Sequence, residues 1–399
     1  MTEIIARPAR AARAEFLPFS PPAIGEEEIR EVVDTLRSPW ITTGPKTRRF
    51  EEEFAAFVGA PAGALAVNSC TAAMHTALAC LGIGPGDEVI TTPLTFTATA
   101  NVIEHVGARP VFADVEPDTL NIDPAAVARA ITPRTRALLP VHYAGHPAEC
   151  DALAALAQEH GLALVEDAAH ALPARFRGRP IGSGSNPVAF SFYATKNLTT
   201  AEGGMLTGEP ALLERARILA LHGLSRDAWK RYEHGGTWRY EVVAPGFKYN
   251  MPDVQAAIGL WQLRKQGRFH ARRVEIAAAY TRAFTAHAAD ALEPPVRRPH
   301  VEHAWHLYVL RLRPEALRVD RDRFLDELTA RNIGTSVHFI PLHLHSYYRR
   351  TYGYRPGDFP VAFANFQRLL SLPLHPGLTD RDVADVIDAV LDVARAFQR

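Results

Sequence analysis

The sequence predicts an α/β fold in which a mostly parallel sheet lies between helices and is followed by a smaller α+β domain. Apolar runs of strand length alternate with helical patterns up to about Gly267, and this alternation is typical of parallel strands joined by helices. Beyond that point the pattern changes to long amphipathic helices and two separate strand-like runs. We expect an N-terminal arm over residues 1–17, a large domain over 18–266 and a small domain over 267–399.

Seven apolar runs are predicted as the strands of the large domain. They cover residues 64–67, 88–92, 110–112, 137–141, 162–165, 188–192 and 205–207. Helical spacing, acidic first turns and glycine stops predict helices over residues 24–36, 68–81, 150–160, 252–263, 267–284 and 322–331, around Phe50 and Phe54, and from Thr379. Residues 306–312 and 334–340 are predicted strands of the small domain, whereas 222–249 is predicted as a long ordered excursion over the surface.

Composition argues against several classes of protein. Lys+Arg and Asp+Glu each number 44, so no overall charge favours nucleic acid or an anionic membrane. No apolar run approaches the length that spans a bilayer. The three cysteines form no CxxC pair. Their odd number argues against a disulfide framework, and their scatter argues against a zinc site. We expect a cytoplasmic protein with a frayed Arg-rich arm, although a short organellar transit segment is the less favoured alternative.

Two of the predicted strands lead into residues that suggest a reaction. The run 162–165 is followed by Asp167, and the run 188–192 is followed by Lys196. Ligands of open α/β sheets bind beyond the carboxyl ends of the strands, so both side chains should reach one edge. A lysine that holds pyridoxal phosphate (PLP) as a Schiff base, with an acid for the pyridine nitrogen, is what PLP chemistry requires. Taken alone, such a pair is more often two solvated charges.

Small and hydroxylated residues follow the first predicted strand, in the segment NSCTAAM. A strand that feeds a helix in this way can bind a phosphate with free N–H groups, the helix dipole and the Thr71 hydroxyl. The equally favoured alternative is that Ser69 or Thr71 is only a helix N-cap. Phe96 follows the strand 88–92 and could stack on a flat ring, although most phenylalanines are core residues.

Three histidines lie close together in the segment HFIPLHLH. His338, His343 and His345 could ligate a metal ion, but the sequence offers no acidic partner and no second cluster of ligands. Contact with a substrate, or ordinary packing, is therefore the favoured interpretation, and we predict no metal.

From about Pro18 to the C-terminus, the sequence resembles the DegT/DnrJ/EryC1/StrS family of PLP-dependent aminotransferases, which act on keto sugars attached to nucleotides. The segments that carry the resemblance are PFSPPAIGEEEI, WITTGP, NSCTAAMHTAL, TFTATAN, VEDAAH, FSFYATKN, EGGM, PGFKYNMPDVQAAIGLWQL and SVHFIPLH. The resemblance implies a fold-type I aminotransferase with a seven-stranded, mostly parallel sheet. Two positions depart from the family pattern: Ala201 stands where relatives often have glycine, and Asn186 where an acidic residue is common.

The resemblance also implies roles for individual residues. Lys196 would bind the cofactor covalently and Asp167 would pair with its pyridinium nitrogen. Phe96 would stack on the ring, and His170 would lie near the phenolic oxygen. The phosphate would be held by Thr71, Ala72 and Ser191. Asn250 would reach the phosphate in the other subunit, which makes a homodimer a functional requirement.

The expected reaction moves an amino group from glutamate to a nucleotide-linked keto sugar, for which a 4-keto-6-deoxy hexose is the preferred candidate. PLP would alternate with pyridoxamine phosphate, and two half-reactions at one site predict ping-pong kinetics. His338, His343 and the loop 40–45 suggest the substrate pocket. A keto-cyclitol, a UDP-4-keto-pentose or a 3-keto sugar remain alternatives. A PLP-dependent sugar dehydratase and a non-catalytic regulator are rivals of other classes, and Lys196 together with the filled cofactor positions argues against both.

Overall fold

The computed structural model describes residues 13–225 and 240–399, and its strands form one large sheet and two small three-stranded sheets. In chain order the strands are β1 (Ala64–Val67), β2 (Glu88–Thr91), β3 (Arg109–Phe112), β4 (Thr135–Leu139), β5 (Ala163–Leu164), β6 (Glu166–Asp167), β7 (Arg175–Phe176), β8 (Arg179–Pro180), β9 (Val188–Ser191), β10 (Gly204–Thr207), β11 (Leu292–Glu293), β12 (Val301–Glu302), β13 (Tyr308–Leu312) and β14 (Leu369–Leu372).

The large sheet has the strand order β3-β2-β4-β5/β6-β9-β10-β1. β5 pairs with β4 and β6 pairs with β9, and only Val165 separates β5 from β6, so the two act as one strand that joins the halves of the sheet. Counted in this way the sheet has seven strands. Only β10 runs antiparallel to its neighbours. The predicted mostly parallel, seven-stranded sheet is thus confirmed.

Helices pack against this sheet and against the C-terminal sheet. They are α1 (Glu26–Arg37), α2 (Pro45–Val58), α3 (Cys70–Cys80), α4 (Thr97–His105), α5 (Pro124–Ala130), α6 (Cys150–His160), α7 (Pro210–Leu219), α8 (Asp253–Arg264), α9 (Gln266–His287), α10 (Arg321–Thr329), α11 (Ser346–Tyr352), α12 (Pro360–Phe366) and α13 (Asp380–Ala396). None of the helices within residues 13–225 and 240–399 is both long and apolar enough to cross a bilayer.

The C-terminal part has its own antiparallel sheet, in the order β11-β13-β14, and a core shared with α9, α10 and α13. The predicted strand over 334–340 is wrong. Within that segment Ser336 forms an isolated bridge with Ser371, and Ile333, just before it, bridges to Leu17. β14, which the sequence analysis did not identify, occupies the place beside β13, so the segment is left outside the ladder.

The described part of the predicted arm is not frayed. Arg13 forms ion pairs with Asp382 and Asp385, and the buried Leu17 bridges to Ile333. Residues 13–17 therefore pack against the C-terminal part of the chain. The remaining arm residues, 1–12, and residues 226–239 of the predicted surface excursion lie outside the described residues.

Candidate active site

Asp167 and Lys196 lie at neighbouring strand ends, as the sequence predicts. Asp167 is the last residue of β6, and Lys196 lies in the turn that follows β9. Burial lowers the pKa of the Lys196 amine to about 8, and the nearby charge of Asp167 opposes this shift. Burial likewise raises the pKa of the Asp167 carboxyl, against hydrogen bonds that favour its ionised form. The two side chains thus interact within one enclosed site.

The Asp167 carboxylate is held on both oxygens. Its Oδ1 accepts the Ala169 N–H at 3.0 Å, and its Oδ2 accepts the Thr99 hydroxyl at 2.9 Å. The Cys70 thiol lies 3.8 Å from Oδ1. The Thr95 hydroxyl lies 2.9 Å from that of Thr99. The sequence analysis missed Cys70, Thr95 and Thr99, although the spacing of four residues between the two threonines at a helix start could have indicated that they face one another.

The predicted anion site lies at the start of α3. The Ser69 hydroxyl accepts the Ala72 N–H at 3.0 Å, so the N-cap is Ser69 rather than Thr71. Gly204 pairs with Val67 on one side and with Ser191 on the other. A Cβ on Gly204 would fall 2.5 Å from the Ser69 backbone. This glycine therefore lets the helix N-terminus, with Thr71 in its first turn, approach Ser191.

Aromatic rings line the other side of the site. Phe96, at the N-cap of α4, is 62% exposed, so its ring is free to contact a ligand. The Phe339 ring lies 6.1 Å from that of Phe96 and stacks at 5.8 Å on His170. His170 also packs at 4.3 Å against His306, whose Nδ1 lies 3.2 Å from the Asn197 amide oxygen. Phe339 and His306 were not predicted, because nothing local distinguishes them from core residues.

Only one of the two predicted substrate histidines lies near these residues. Burial and the charge of Lys196 lower the pKa of His338 to about 4, and its Nδ1 lies 2.9 Å from the Ser371 hydroxyl. His343 is fully buried and packs at 4.9 Å against Phe359. The structure therefore does not bring His343 into the site, and it leaves His338 as the candidate for substrate contact.

Asn250 is held in a fixed orientation. Its amide nitrogen donates to the Thr43 hydroxyl at 2.6 Å, and its amide oxygen accepts from Lys248. The loop that contains Thr43 is in turn attached to Asp253, whose buried carboxylate accepts the Gly44 N–H at 2.8 Å and further N–H groups at the start of α2. Asn250 and the predicted substrate loop therefore form one rigid unit.

A second polar cluster lies behind Asp167. Ligand atoms of His142, Cys150 and Glu166 lie within 4.8 Å of one another, the one such group among the described residues. The Nε2 of His142 lies 3.0 Å from Glu166, while its Nδ1 accepts the Ala148 N–H at 3.1 Å. Both ring nitrogens are thus engaged within the protein. The backbone N–H of His142 donates to the Asp167 carbonyl, so this segment supports the strand end.

Comparison with known proteins shows the family. The model of the DegT/DnrJ/EryC1/StrS aminotransferase family matches residues 22–391. The chain belongs to this family. It is 53% identical over 385 residues to the spore coat polysaccharide biosynthesis protein SpsC of Bacillus subtilis, covering 96% of this chain and 98% of SpsC.

Two solved structures superpose on nearly the whole chain. The putative sugar aminotransferase Spr1654 of Streptococcus pneumoniae, solved with PLP, is 36% identical and superposes with a TM-score of 0.88 over 96% of this chain and 99% of its own. DesV of S. venezuelae is 39% identical, with a TM-score of 0.84 over 92% and 94%. The protein is thus a PLP-dependent aminotransferase of fold type I, and Spr1654 was also solved in its pyridoxamine phosphate form.

Several residues of this chain fit the chemistry of PLP. The glycine at position 204 leaves room for a helix N-terminus that suits a phosphate. The Asp167 carboxylate suits a cationic ring nitrogen, and the exposed face of Phe96 suits a flat ring. The Lys196 amine, with its lowered pKa, suits covalent attachment.

Proposed function

We propose that this aminotransferase moves the amino group of glutamate to a nucleotide-linked keto sugar, with a 4-keto-6-deoxy hexose as the preferred acceptor. The observation that carries the proposal is the meeting of Lys196, Asp167 and the start of α3 at one edge of the sheet. The relatives support a sugar as acceptor, since Spr1654 and DesV are similar over nearly the whole chain and Spr1654 is described as a putative sugar aminotransferase.

In this proposal each part of PLP has its own partner. Lys196 would hold the cofactor covalently, Asp167 would accept a hydrogen bond from the protonated ring nitrogen, Phe96 would stack on the ring and His170 would lie by the phenolic oxygen. The phosphate is bound by Thr71, Ala72 and Ser191. The Ala72 N–H already donates a hydrogen bond to the Ser69 hydroxyl. A second hydrogen bond from the same N–H to the phosphate would therefore be bifurcated.

Bound PLP supplies an electron-accepting ring that makes the α-hydrogen of an attached amino acid acidic. The chain must then move that proton. With a pKa of about 8, the Lys196 amine is partly unprotonated near neutral pH, and it can take the proton from the α-carbon of glutamate and return one to the sugar carbon. Asp167 remains ionised when it faces a cationic ring nitrogen, because opposite charges favour each other's charged forms.

We further propose that the active enzyme is a homodimer with shared sites. The rigid unit of Asn250 and the loop 40–45 would contribute a phosphate contact and part of the substrate pocket to the other subunit. The fixed orientation of the Asn250 amide, between Thr43 and Lys248, supports this role. His338 would contact the sugar from within the same chain, because its ring lies near Lys196.

The covalent link is tested with borohydride. The purified protein should absorb in the visible range, and reduction should remove the band and add the mass of the cofactor at Lys196. Lys196→Ala should abolish the band and the formation of 2-oxoglutarate from glutamate. Lys265→Ala is the control, since Lys265 is occupied by ion pairs with Glu27 and Glu28. A band that persists in Lys196→Ala would contradict the proposal.

The substrate class is tested on the aminated cofactor form. The protein is treated with glutamate, freed of 2-oxoglutarate and mixed with individual keto-sugar nucleotides while the aldehyde spectrum is followed. We expect a 4-keto-6-deoxy hexose nucleotide to restore the spectrum. Restoration by a free keto-cyclitol or a UDP-4-keto-pentose alone would overturn the assigned acceptor but not the aminotransferase.

A further inference from the structure

The Thr95 and Thr99 hydroxyls form a short chain that ends on the Asp167 carboxylate. We propose that Thr99 is a positioning residue for PLP, acting through Asp167, and that Thr95 orients it. The two hydroxyl oxygens lie 2.9 Å apart, and the second lies 2.9 Å from the Oδ2 of Asp167. The inference rests on the proposed pairing of Asp167 with the ring nitrogen.

The direction of this chain follows from the number of protons. An ionised carboxylate can only accept hydrogen bonds, and a threonine hydroxyl carries a single proton. The Thr99 hydroxyl must therefore use its single proton to donate the hydrogen bond to Asp167. The contact between the two hydroxyls then requires that Thr95 donates and Thr99 accepts. Thr95 thereby prevents the Thr99 hydroxyl from rotating away from the carboxylate.

Two donors on opposite oxygens determine how the carboxylate is oriented. The Ala169 N–H holds Oδ1 from the backbone, whereas Oδ2 depends on the Thr99 side chain. Thr99 is fully buried, so water cannot readily replace its hydroxyl. With its plane held, the carboxylate keeps an accepting lone pair directed at the cofactor ring, and both hydrogen bonds favour its ionised form.

Other groups that face Asp167 do not duplicate this role. Burial raises the pKa of the Asp167 carboxyl, whereas the charges of Lys196 and His142 both lower it and so favour the ionised form. The Cys70 thiol lies 3.8 Å away, and its own pKa is raised by burial and by the charge of Asp167, so it remains a neutral and weak donor. Thr99 is therefore the side chain whose loss should change the basicity of Asp167.

The position of Thr99 links this contact to the ring-stacking residue. Phe96 is the N-cap of α4, and Thr99 lies three residues later in its first turn. Because residues three apart on a helix lie on the same face, one helix start presents a ring and a hydroxyl to the same site. Stacking on the ring and orientation of its acid partner would therefore be set together.

The test measures cofactor affinity rather than turnover. The apoenzyme forms of wild type, Thr99→Val, Thr99→Ser and Thr76→Val are titrated with PLP at a series of pH values, and the visible band reports binding. Thr76 is a matched control, because it is also fully buried and its hydroxyl has no hydrogen-bond partner. Thermal unfolding of each apoenzyme verifies that the variants fold.

We expect Thr99→Val to raise the Kd for PLP about tenfold, as for the loss of a hydrogen bond to a charged group. Without the hydroxyl, the Asp167 carboxyl takes up its proton at a higher pH. The acid limb of the affinity profile should therefore move to higher pH by about one unit. Thr99→Ser should restore both the affinity and the midpoint, and Thr76→Val should change neither.

Three results would overturn the inference. These are an unchanged midpoint in a folded Thr99→Val, equal losses in the valine and serine variants, or the same shift in Thr76→Val. They differ from a failure of the proposed function, in which the wild-type protein itself would form no borohydride-sensitive band.

Discussion

Ala201 offers a substitution that should stabilise the protein. It is exposed and has a φ of +67° in the turn between Lys196 and β10, a left-handed conformation that costs a residue with a Cβ about 1–2 kcal/mol. Glycine removes that cost but loses more backbone entropy on folding, by about 0.5–1 kcal/mol. Ala201→Gly should therefore raise the free energy of unfolding by about 0.5–1 kcal/mol and the melting temperature by about 1 °C.

Scanning calorimetry on the apoenzyme measures this difference, and two variants make the result specific. Ala201→Val should be less stable than wild type, because a β-branched side chain is poorly tolerated at positive φ. Ala271→Gly, at an exposed position inside α9, should destabilise by about 1 kcal/mol. If glycine lowered stability at both alanine positions, the backbone strain inferred at Ala201 would be refuted.

Three further predictions concern the site. Asp253→Ala should cost about 3 kcal/mol of stability or more, because a buried carboxylate that accepts several N–H groups of α2 is lost; chemical denaturation measures this, and Asp253→Asn should cost less. Gly204→Ala should weaken PLP binding at least tenfold, because its Cβ would displace Ser69 at the start of α3, whereas Gly184→Ala, with open space around it, should bind PLP normally. The rate at which PLP links to Lys196 in the apoenzyme should rise through a midpoint near pH 8, because the unprotonated amine is the nucleophile and burial lowers its pKa to about 8. Stopped-flow absorbance measures this rate. A midpoint near the pKa of an ordinary lysine would contradict the prediction.

The parts of the fold that sequence reasoning predicted are those with local causes. The helix Cys150–His160 has the predicted bounds, because its period lies within the helix and the Gly161 stop follows it directly. Asp167 and Lys196 were identified because strand ends in such sheets meet at one edge. A local pattern was thus enough wherever the partner of a residue was already implied by the sheet.

What escaped prediction depends on contacts between distant segments. In the sequence Asp253 is an acidic residue in the first turn of its own helix. In the fold its carboxylate binds the start of α2, at Thr47, which precedes it by 206 residues. Thr99 and His306 gain their roles only when α4 and the C-terminal part meet Asp167 and His170. The segment 334–340 has a strand-like pattern but no continuous partner, and pairing rather than pattern decides whether a strand forms.

Burial lowers the pKa of Lys196 and raises the pKa of Asp167, and both shifts favour binding of the cofactor. It disfavours the charged amine of Lys196 and the charged carboxylate of Asp167, so the protein alone carries an electrostatic cost at this edge of the sheet. In the proposed site PLP would relieve both costs, because covalent attachment would replace the ammonium of Lys196 and a protonated ring nitrogen would pair with the Asp167 carboxylate. The same burial that is unfavourable in the apoenzyme therefore strengthens the interactions of the loaded site, and cofactor binding should stabilise the fold in proportion to its affinity.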